Sequence, residues 1–382
     1  MVGPANKCTS AELAHSLTME PTPAQDFQTL AMQVRAAGLL DPRPGYYGAK
    51  IVLTLAAFAG GWLGFFVVGA SWATLGIAAF LGVMSTQLGF VGHDAGHGQV
   101  FASRQANRLL CLFVGNGLIG LSFGWWVPKH NAHHAHPNEP GRDPDIGVGL
   151  VGAPAADGGA HGHTRLAGGL ARWQAELFVP LMLLRSTGLY VSGVQDLLRR
   201  RDRVAVSECI LLALRAALFL SAVVWVLPLP KAVTFIAVYE AVFSLYLGCS
   251  FAPNHKGMPL IDGGSTMSFA ARQVVTARNV SGGRWTGFIL GGLNYQIEHH
   301  LFPTMPRPSL GRARDLVRSF CVDNHLGYCE EGPVRSFQQA VGSLRRVGPY
   351  VPAPVGDAPS VPRPVGAFKR SSESSIPPDR WG

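Results

Sequence analysis

A long uncharged run extends from Ile51 to Gly92. An α-helix of about 20 residues crosses the roughly 30 Å hydrocarbon core of a bilayer. The run therefore has room for two transmembrane helices. A turn at Gly69-Ala70-Ser71 would divide it into spans at 51–69 and 72–91.

A second apolar pair follows later in the chain. We predict one span at 209–229, a turn at 228–231 and a returning span at 232–252. Two charged residues interrupt this pair. Arg215 is expected to extend its guanidinium group toward the membrane interface. Glu240 is expected to be a functional or paired group, with Arg215 and Tyr246 as alternative partners.

Basic residues collect on one side of these four spans. The turn at 69–71 carries no charge and the turn at 228–231 carries one lysine, whereas the other loops carry many arginines. By the positive-inside rule, both turns face the outside and the other loops face the cytoplasm. Two shorter apolar stretches, 109–126 and 178–194, are expected to lie at the membrane interface. If either crossed the membrane, the loops assigned to the cytoplasm would lie on opposite sides.

The composition agrees with a membrane protein. Hydrophobic residues make up 48% of the chain and charged residues only 14%, with a mean hydropathy of +0.20. The net charge of +9 does not indicate a nucleic-acid partner, because no basic stripe is interleaved with aromatic residues. The sequence begins without the apolar core of a signal peptide, so insertion is expected to depend on the internal spans.

We therefore predict a mainly α-helical, multi-pass membrane protein with four transmembrane helices in two hairpins. Residues 1–45 are expected to form a cytoplasmic N-terminal segment, and residues 46–345 the membrane domain with a cytoplasmic helical cap. Residues 346–382, rich in proline and serine, are predicted to be disordered.

Three histidine clusters stand at the predicted membrane exits. They are His93-Asp94-Ala95-Gly96-His97, His130-Asn131-Ala132-His133-His134 and Gln296-Ile297-Glu298-His299-His300. On a helix, spacings of three and four residues place the ring nitrogens on one face. Imidazole is the commonest protein metal ligand, and the predicted topology brings all three clusters to the same side. The pattern therefore predicts a shared metal site.

His255, at the exit of the fourth span, raises the number of candidate histidines to eight, with Gln296 as a ninth candidate ligand. So many ligands exceed the needs of one ion and suit two. The sequence contains no HExxH zinc-protease motif, and no cysteine cluster that would favour copper(I) or an iron–sulfur centre. A nitrogen-rich two-metal site fits iron, which can activate dioxygen.

These clusters resemble the histidine boxes of membrane fatty acid desaturases, which follow the patterns HxxxH, HxxHH and [HQ]xxHH. The segment NYQIEHHLFP, from Asn294 to Pro303, is similar to the third box of the branch that includes front-end (delta-5 and delta-6-like) desaturases and their bacterial relatives. The resemblance covers about residues 25–345. It implies a non-haem di-iron centre, dioxygen as the oxidant and a fatty acyl substrate in a lipid bilayer.

The resemblance also assigns iron ligation to the box residues and to the isolated histidine. These are His93, His97, His130, His133, His134, His255, His299, His300 and Gln296. Gln296 is a departure, because many branches of the family carry histidine there. A neutral amide oxygen is a weaker ligand, and it can act directly or through water.

Polar residues near the boxes are candidates to orient the rings, since a ligating imidazole usually donates its other N–H to a carboxylate, carbonyl or water. They are Asp94, Asn131, Asp143, Asp145 and Glu298. Aromatic residues near the boxes are candidates to line the path of the acyl chain, although anchoring at the membrane interface explains the tryptophans equally well. They are Phe90, Trp125, Trp126, Trp285 and Tyr295.

The implied reaction needs two electrons from outside. Many eukaryotic relatives carry a fused cytochrome b5 domain with an HPGG haem motif, which this sequence does not contain. A separate ferredoxin, cytochrome b5-like protein or reductase is therefore implied. Two other functions stay open: a hydroxylase or oxygenase of the same superfamily, and a histidine-lined metal transporter, whose ligands should lie within the spans.

Overall fold

Two long apolar helices follow a short N-terminal helix. The structure is a computed structural model that describes residues 24–146, 173–200 and 202–346. Its first helices are α1 (Ala24–Ala36), α2 (Pro44–Val68) and α3 (Thr74–Gly96). The chain reverses after α2 at Gly69, whose φ of 62° is a left-handed conformation that glycine adopts without steric cost.

Helices α2 and α3 both extend beyond the predicted spans. Helix α2 begins at Pro44, and proline is favoured in the first helical turn because its missing N–H would have no intrahelical partner there. Helix α3 ends at Gly96, so that His93 lies within the helix that carries the span rather than past its end. Hydropathy predicts the part of a helix that lies in lipid, whereas the helix itself continues past that part to the histidines.

The segment between the first two histidine clusters forms a sharp bend. Helix α4 (Arg104–Cys111) continues as a π-helical segment (Leu112–Ile119), and helix α5 (Phe123–Ala135) follows at an angle of 114°. The break falls at Gly120, which has a φ of 80°. The prediction of a single interfacial helix at 109–126 is therefore wrong, because Gly120 breaks the helix within this stretch.

A second bend and a second long pair follow. They comprise α6 (Gln174–Met182), α7 (Arg185–Arg199), α8 (Arg203–Val226) and α9 (Leu229–His255). Helices α6 and α7 enclose an angle of 71°, where one interfacial stretch at 178–194 was expected. Helices α8 and α9 include the predicted spans. Within the described ranges, four helices are long and apolar enough to cross a membrane, or six if each bent pair counts as one span. This confirms a multi-pass helical membrane protein.

The loops at the far ends of the two long pairs touch each other. Lys231 Nζ donates a hydrogen bond to the carbonyl oxygen of Ala70 (2.6 Å) and lies 5.5 Å from the centroid of the Trp72 ring. Helices α3 and α9 run close together above this contact, since Gly82 faces the backbone of Tyr239 and Phe243. The opposite ends of α3 and α9, which carry histidines, are thereby also brought together.

The two charged residues inside the second pair have partners within the protein. Arg215 Nη2 donates to the Tyr239 hydroxyl (3.2 Å) instead of extending to the interface. Glu240 accepts hydrogen bonds from Ser186 Oγ (2.7 Å) and the Tyr190 hydroxyl (3.4 Å) on α7. Glu240 is therefore a paired group, as one alternative predicted. Its partners are these hydroxyl groups on α7, which packs against α9, rather than Arg215 or Tyr246.

Short elements at the histidine end of the long helices form a cap. They are α10 (Phe269–Val275), β1 (Asn279–Val280), α11 (Arg284–Ile289), α12 (Gln296–Leu301), α13 (Arg307–Asp323), β2 (Glu330–Glu331) and α14 (Pro333–Arg346). Strands β1 and β2 are parallel, with Asn279 opposite Glu330. A second apolar core, distinct from that of the long helices, joins α1, α10, α12 and α13. The predicted tail at 346–382 lies almost entirely outside the described residues.

The close packing of α3 on α9 can be tested at Gly82. A Cβ atom at this position would lie 2.8 Å from the Tyr239 carbonyl oxygen, so that Gly82→Ala forces two backbones apart. We expect a loss of about 1–3 kcal/mol and a lower midpoint of thermal unfolding in detergent, measured by fluorescence-detected gel filtration. Gly76→Ala on the same helix meets no atom within 4 Å and should raise the midpoint or leave it unchanged. Equal midpoints for the two variants would contradict the packing.

Candidate metal centre

The first histidine cluster lies where α3 leaves its apolar surroundings. His93 is in the last turn of the helix, and His97 follows it as the C-terminal capping residue. The backbone N–H of His97 still donates to the His93 carbonyl (3.1 Å), so that the two rings remain on one face. The centroids of these rings are 4.7 Å apart.

The second cluster occupies the C-terminal half of α5. His130, His133 and His134 are all buried. The Trp126 ring stacks on the His130 ring at a centroid distance of 4.4 Å, which fixes the plane of that imidazole. Helix α5 therefore presents three histidines to the interior of the cap rather than to solvent.

The third cluster and the isolated histidine complete the set. His299 and His300 lie in the short helix α12, where both are buried. His255 is the last residue of α9. Its ring centroid is 4.6 Å from those of both His133 and His300. All eight histidines singled out in the sequence thus meet at one place.

These rings form two groups. In the first, the nearest ring nitrogens of His93, His97, His130 and His299 lie within 4.8 Å of one another, and in the second those of His133, His255 and His300 do so. His134 lies between the groups. Its Nε2 is 3.1 Å from His130 Nε2, and its ring stacks 4.2 Å from that of His300.

Carboxylates fix the orientation of one ring in each group. His93 Nδ1 donates to Asp94 Oδ1 (3.3 Å), and His133 Nδ1 lies 3.0 Å from both Asp143 oxygens. A carboxylate can only accept here, so Nδ1 of each ring is the donor and Nε2 is the nitrogen left to face the cluster. Asp94 and Asp143 thus make the contacts expected of ring-orienting residues.

Two further rings are fixed by groups that the sequence did not single out. His255 Nδ1 donates to the Thr276 carbonyl (2.9 Å), and His300 Nδ1 to Gln273 Oε1 (2.9 Å). The orientation of the Gln273 amide is itself set, because its Nε2 donates to the His134 carbonyl (3.0 Å). No local pattern marks these residues, since their partners are more than 20 positions away in the chain.

Arg307 supports the first group from behind. Its Nη2 is 2.7 Å from Asp94 Oδ2, and the same guanidinium group donates to the Phe90 carbonyl (2.8 Å). Asp94 therefore bridges a buried arginine and a cluster histidine. The arginine keeps the carboxylate ionised and oriented, which strengthens its hold on the His93 ring.

The surroundings keep most of the histidines neutral. Burial, followed by the neighbouring histidines, lowers the pKa of His97, His299 and His300 well below the ordinary value. A neutral imidazole has a free lone pair, which is the form that binds a metal. The Nε2 atoms of these three rings are buried without a hydrogen-bond partner among the described residues. A cation between them would satisfy nitrogens that are otherwise costly to bury.

Gln296 lies beside the second group with its amide turned in a defined direction. Its Oε1 accepts a hydrogen bond from Asn254 Nδ2 (3.0 Å), and its Nε2 donates to His255 Nε2 (3.0 Å). The Asn254 amide nitrogen also donates to the carbonyl oxygens of Ser250 and Leu293 (3.3 and 3.1 Å), which fixes its own orientation. The oxygen expected to be a ligand therefore faces Asn254.

Glu298 has a different position from the one expected of a ring-orienting residue. Its carboxylate accepts hydrogen bonds from Asn279 Nδ2 (2.8 Å) and the Tyr328 hydroxyl (2.7 Å). Burial raises its pKa to about 7, although both hydrogen bonds oppose the shift. Asn279 Oδ1 also accepts from the Ile297 N–H (2.9 Å), so that Glu298 and Ile297 together attach α12 to Asn279 of β1.

The aromatic candidates are divided between the site and the surface. Phe90 is buried beneath Arg307, and Trp126 covers His130. Trp285, on α11, is instead 79% exposed, as expected of a membrane-interface anchor. Tyr295 packs on Gly311 of α13. Of these residues, Trp126 stacks directly on a cluster histidine, while Phe90 packs behind the cluster on Arg307.

Fold and site together define an integral membrane protein with a buried polyhistidine centre at one end of its apolar helices. The family model described as "Fatty acid desaturase" matches residues 70–332. The chain belongs to the fatty acid desaturase family, which confirms the resemblance of its histidine boxes.

Individual relatives agree with this assignment. The chain is 32% identical to the delta-5 fatty acid desaturase fat-4 of Caenorhabditis elegans, over 85% of this chain and 74% of that protein. It is 32% identical to a delta-8 fatty acid desaturase of Euglena gracilis, over 80% and 74% of the two chains. It is 26% identical to the delta-6 fatty acid desaturase fat-3 of C. elegans, over 88% and 78%.

Asp143 offers a test of the centre that does not depend on turnover. Asp143→Asn keeps the size of the side chain but removes the charge that holds the His133 N–H, so we expect metal affinity to fall about 10–100-fold. Competition between the purified protein and a chromophoric chelator for iron(II) measures this change. Asp323→Asn, at the exposed end of α13, is the matched control. Unchanged affinity in Asp143→Asn would argue against a metal bound at His133.

Proposed function

We propose that this member of the desaturase family introduces a cis double bond into a fatty acyl chain, in an O2-dependent reaction at a centre of two iron ions. The observation that carries the proposal is the convergence of eight histidines, six of them buried, into two adjacent groups with His134 between them. Each group offers three or four ring nitrogens. One ion would leave half of these nitrogens unsatisfied.

The proposed ligands follow the two groups. His93, His97, His130 and His299 would hold one ion, and His133, His255 and His300 the other, with His134 close to both. Gln296 is a different case, because Asn254 engages its amide oxygen. We propose that Gln296 acts on the second ion through a water molecule rather than as a direct ligand.

The bound irons would use dioxygen and two external electrons to remove two hydrogens from adjacent methylene groups of the acyl chain. One dioxygen, two electrons and two protons, together with the two hydrogens of the substrate, give the alkene and two water molecules. The chain itself contributes position and exclusion of water. Asp94, Asp143, Gln273 and Thr276 fix four rings, and the burial of the cluster keeps bulk solvent away from an oxidising centre.

The substrate is proposed to approach from the bilayer. The histidine groups lie at the ends of α3 and α9, so an acyl chain that leaves the lipid meets the cluster without crossing water. Trp126 lies against His130 and offers apolar surface to the chain. The NYQIEHHLFP box and the delta-5, delta-6 and delta-8 names of the relatives favour front-end selectivity.

We further propose that the membrane domain contains two hairpins with their turns outside and the cluster in the cytoplasm. The contact of Lys231 with Ala70 supports a common side for both turns. The opposite side carries the exposed arginines, among them Arg104, Arg142 and Arg312. This basic surface suits an acidic electron donor such as a ferredoxin or a cytochrome b5-like protein, or its reductase.

A lipid profile tests the reaction. Cells that express the chain with a reductant partner should accumulate fatty acids with a new double bond, detected as methyl esters by gas chromatography and mass spectrometry. His133→Ala and His299→Ala each remove a nitrogen from one group and should abolish the product. His325→Asn, at an exposed residue outside the cluster, is the control and should retain it. Its φ of 52° is a conformation that asparagine tolerates.

Two outcomes would overturn the desaturase assignment. Hydroxylated acyl chains in place of alkenes would identify the hydroxylase alternative, which the same cluster could support. New double bonds that persist in both histidine variants would place the activity elsewhere in the cell.

Elemental analysis tests the metal. We expect about two iron ions for each active chain, since each histidine group supplies the ligands that one ion requires. The metal content of protein purified without chelators can be measured by mass spectrometry alongside activity. His97→Ala and His300→Ala should each lower the ratio toward one or below. Active protein that contains zinc and no iron would contradict the proposed chemistry.

A further inference from the structure

The segment between the first two histidine clusters enters and leaves at the same end of α3. Cys111 Sγ donates to the Gly92 carbonyl (3.4 Å) on the way in. On the way out, the Phe123 ring packs on Gly92, and Trp126 and Val127 pack on Gly96. The residues from Arg104 to Ala135 thus form a re-entrant segment rather than a crossing, and α5 returns from it carrying the second cluster.

The tip of this segment lies well below the site. Gly120, where the break occurs, packs against the guanidinium group of Arg215. Arg215 donates to the Tyr239 hydroxyl, which in turn is hydrogen-bonded to Ser85 Oγ (2.8 Å). Ser85 precedes His93 by eight residues on α3, which is about 12 Å at 1.5 Å per residue. The break therefore lies at a depth where lipid offers no hydrogen bonds to free backbone groups.

Glu208 satisfies the beginning of α5. One carboxylate oxygen, Oε2, accepts from the Gly124 N–H (3.1 Å), Ser122 Oγ (2.7 Å) and Asn116 Nδ2 (3.0 Å). The other oxygen accepts from Arg200 Nη2 (2.9 Å). Glu208 is fully buried, and a Cβ at position 124 would lie 1.9 Å from its Oε1. Gly124 is thus the residue that lets a carboxylate reach the helix terminus.

Arg215 and Tyr190 satisfy the end of the π-helical segment. Arg215 Nε donates to the Leu118 carbonyl (3.4 Å), and the Tyr190 hydroxyl to the Ile119 carbonyl (3.2 Å). These carbonyls lie in the last turn before the break, where helical carbonyls lose their intrahelical donors. The guanidinium group also lies over the Phe219 ring, 4.6 Å from its centroid, which favours the cation in an apolar setting.

The two charges have the signs that the helix ends require. The N-terminal end of a helix is partly positive and attracts a carboxylate, while the C-terminal end is partly negative and attracts a guanidinium group. Glu208 and Arg215 are seven residues apart on α8, two helical turns, and so lie on one face about 10 Å apart. A single face of α8 therefore serves both ends of the break.

We propose that Glu208 and Arg215 form a charge clamp that fixes the re-entrant break and thereby positions the second histidine cluster. Both are positioning residues, since their contacts are with the break and not with the histidines. Without the clamp, the N-terminal turn of α5 would lose the acceptor of the Gly124 N–H, and Ser122 and Asn116 would lose their shared partner. The position of His130, His133 and His134 relative to the other histidines would then no longer be fixed. The consequence for metal rests on the proposed function, whereas the consequence for the backbone does not.

Hydrogen exchange of the full chain in lipid nanodiscs, followed by mass spectrometry, tests the clamp directly. Glu208→Leu and Arg215→Leu should each raise exchange in peptides that cover 112–127 by about tenfold, the effect expected when roughly one charge-assisted hydrogen bond is lost. Peptides from α2 should keep their exchange rates. Glu208→Gln retains one acceptor oxygen and Arg215→Lys retains the charge, so each should restore part of the protection.

Lys231→Gln is the matched control, because it removes another charge that donates to a backbone carbonyl, at the far end of α9. It should leave exchange at 112–127 unchanged. If Glu208→Leu does not accumulate, the other three variants decide the result. Wild-type exchange at 112–127 in both Arg215→Leu and Glu208→Gln, or a uniform increase over the whole chain, would overturn the clamp.

Iron content gives a second measurement in the same samples. The clamp variants should bind less iron per folded chain, in the order in which exchange at 112–127 increases, and Lys231→Gln should bind as much as the wild type. Faster local exchange with unchanged iron content would preserve the clamp as an anchor of the break but overturn its role in positioning the second cluster. Absence of iron in the wild-type protein would count against the proposed function, whereas the exchange result would still stand.

Discussion

Gathering eight imidazoles, six of them buried, beside apolar helices leaves each ring with two nitrogens to satisfy, and this requirement organises the cap. A ring whose Nδ1 donates to a protein acceptor has its Nε2 lone pair free for a cation. The four acceptors that hold rings in this way belong to Asp94, Asp143, Gln273 and Thr276. They come from α3, from the loop after α5 and from the region of α10. The ring nitrogens therefore take up this arrangement only when α3, the loop after α5 and the region of α10 are packed against one another.

The apolar helices and the polar cap depend on each other through the backbone. Helices α3 and α9 carry His93 and His255 directly into the site, so that their packing at Gly82 sets the distance between two groups of ligands. Helix α5 has no such continuous connection to a span, because it begins at a break within apolar surroundings. Lipid offers no hydrogen-bond partners at this break, so Glu208 and Arg215 provide one for each helix end.

One amide sets the character of the third cluster. Gln296 stands at the first position of the [HQ]xxHH pattern, and its oxygen faces Asn254 rather than the ring nitrogens. The Ser250 and Leu293 carbonyls also accept hydrogen bonds from the Asn254 amide nitrogen. This nitrogen is therefore held facing Gln296, and the Gln296 oxygen turns toward it. A histidine at position 296 would bring a lone pair where glutamine brings an N–H. The difference changes how many lone pairs the second group can present to a metal ion. The seven histidines of the boxes keep the family pattern.

The sequence by itself determined that four long helices form, that the protein is a membrane protein and which eight histidines come together. These are local properties: hydropathy over about 20 residues sets a span, and spacings of three and four residues set a helical face. Asp94 could be identified as a partner because it adjoins its histidine. Only the tertiary structure decided that Gln273 and Thr276 accept hydrogen bonds from histidine rings, that Glu298 attaches α12 to Asn279 of β1, and that residues 104–135 turn back at Gly120. Such contacts join residues far apart in the chain, and the direction in which an amide or carboxylate points is set by neighbours that only packing brings together.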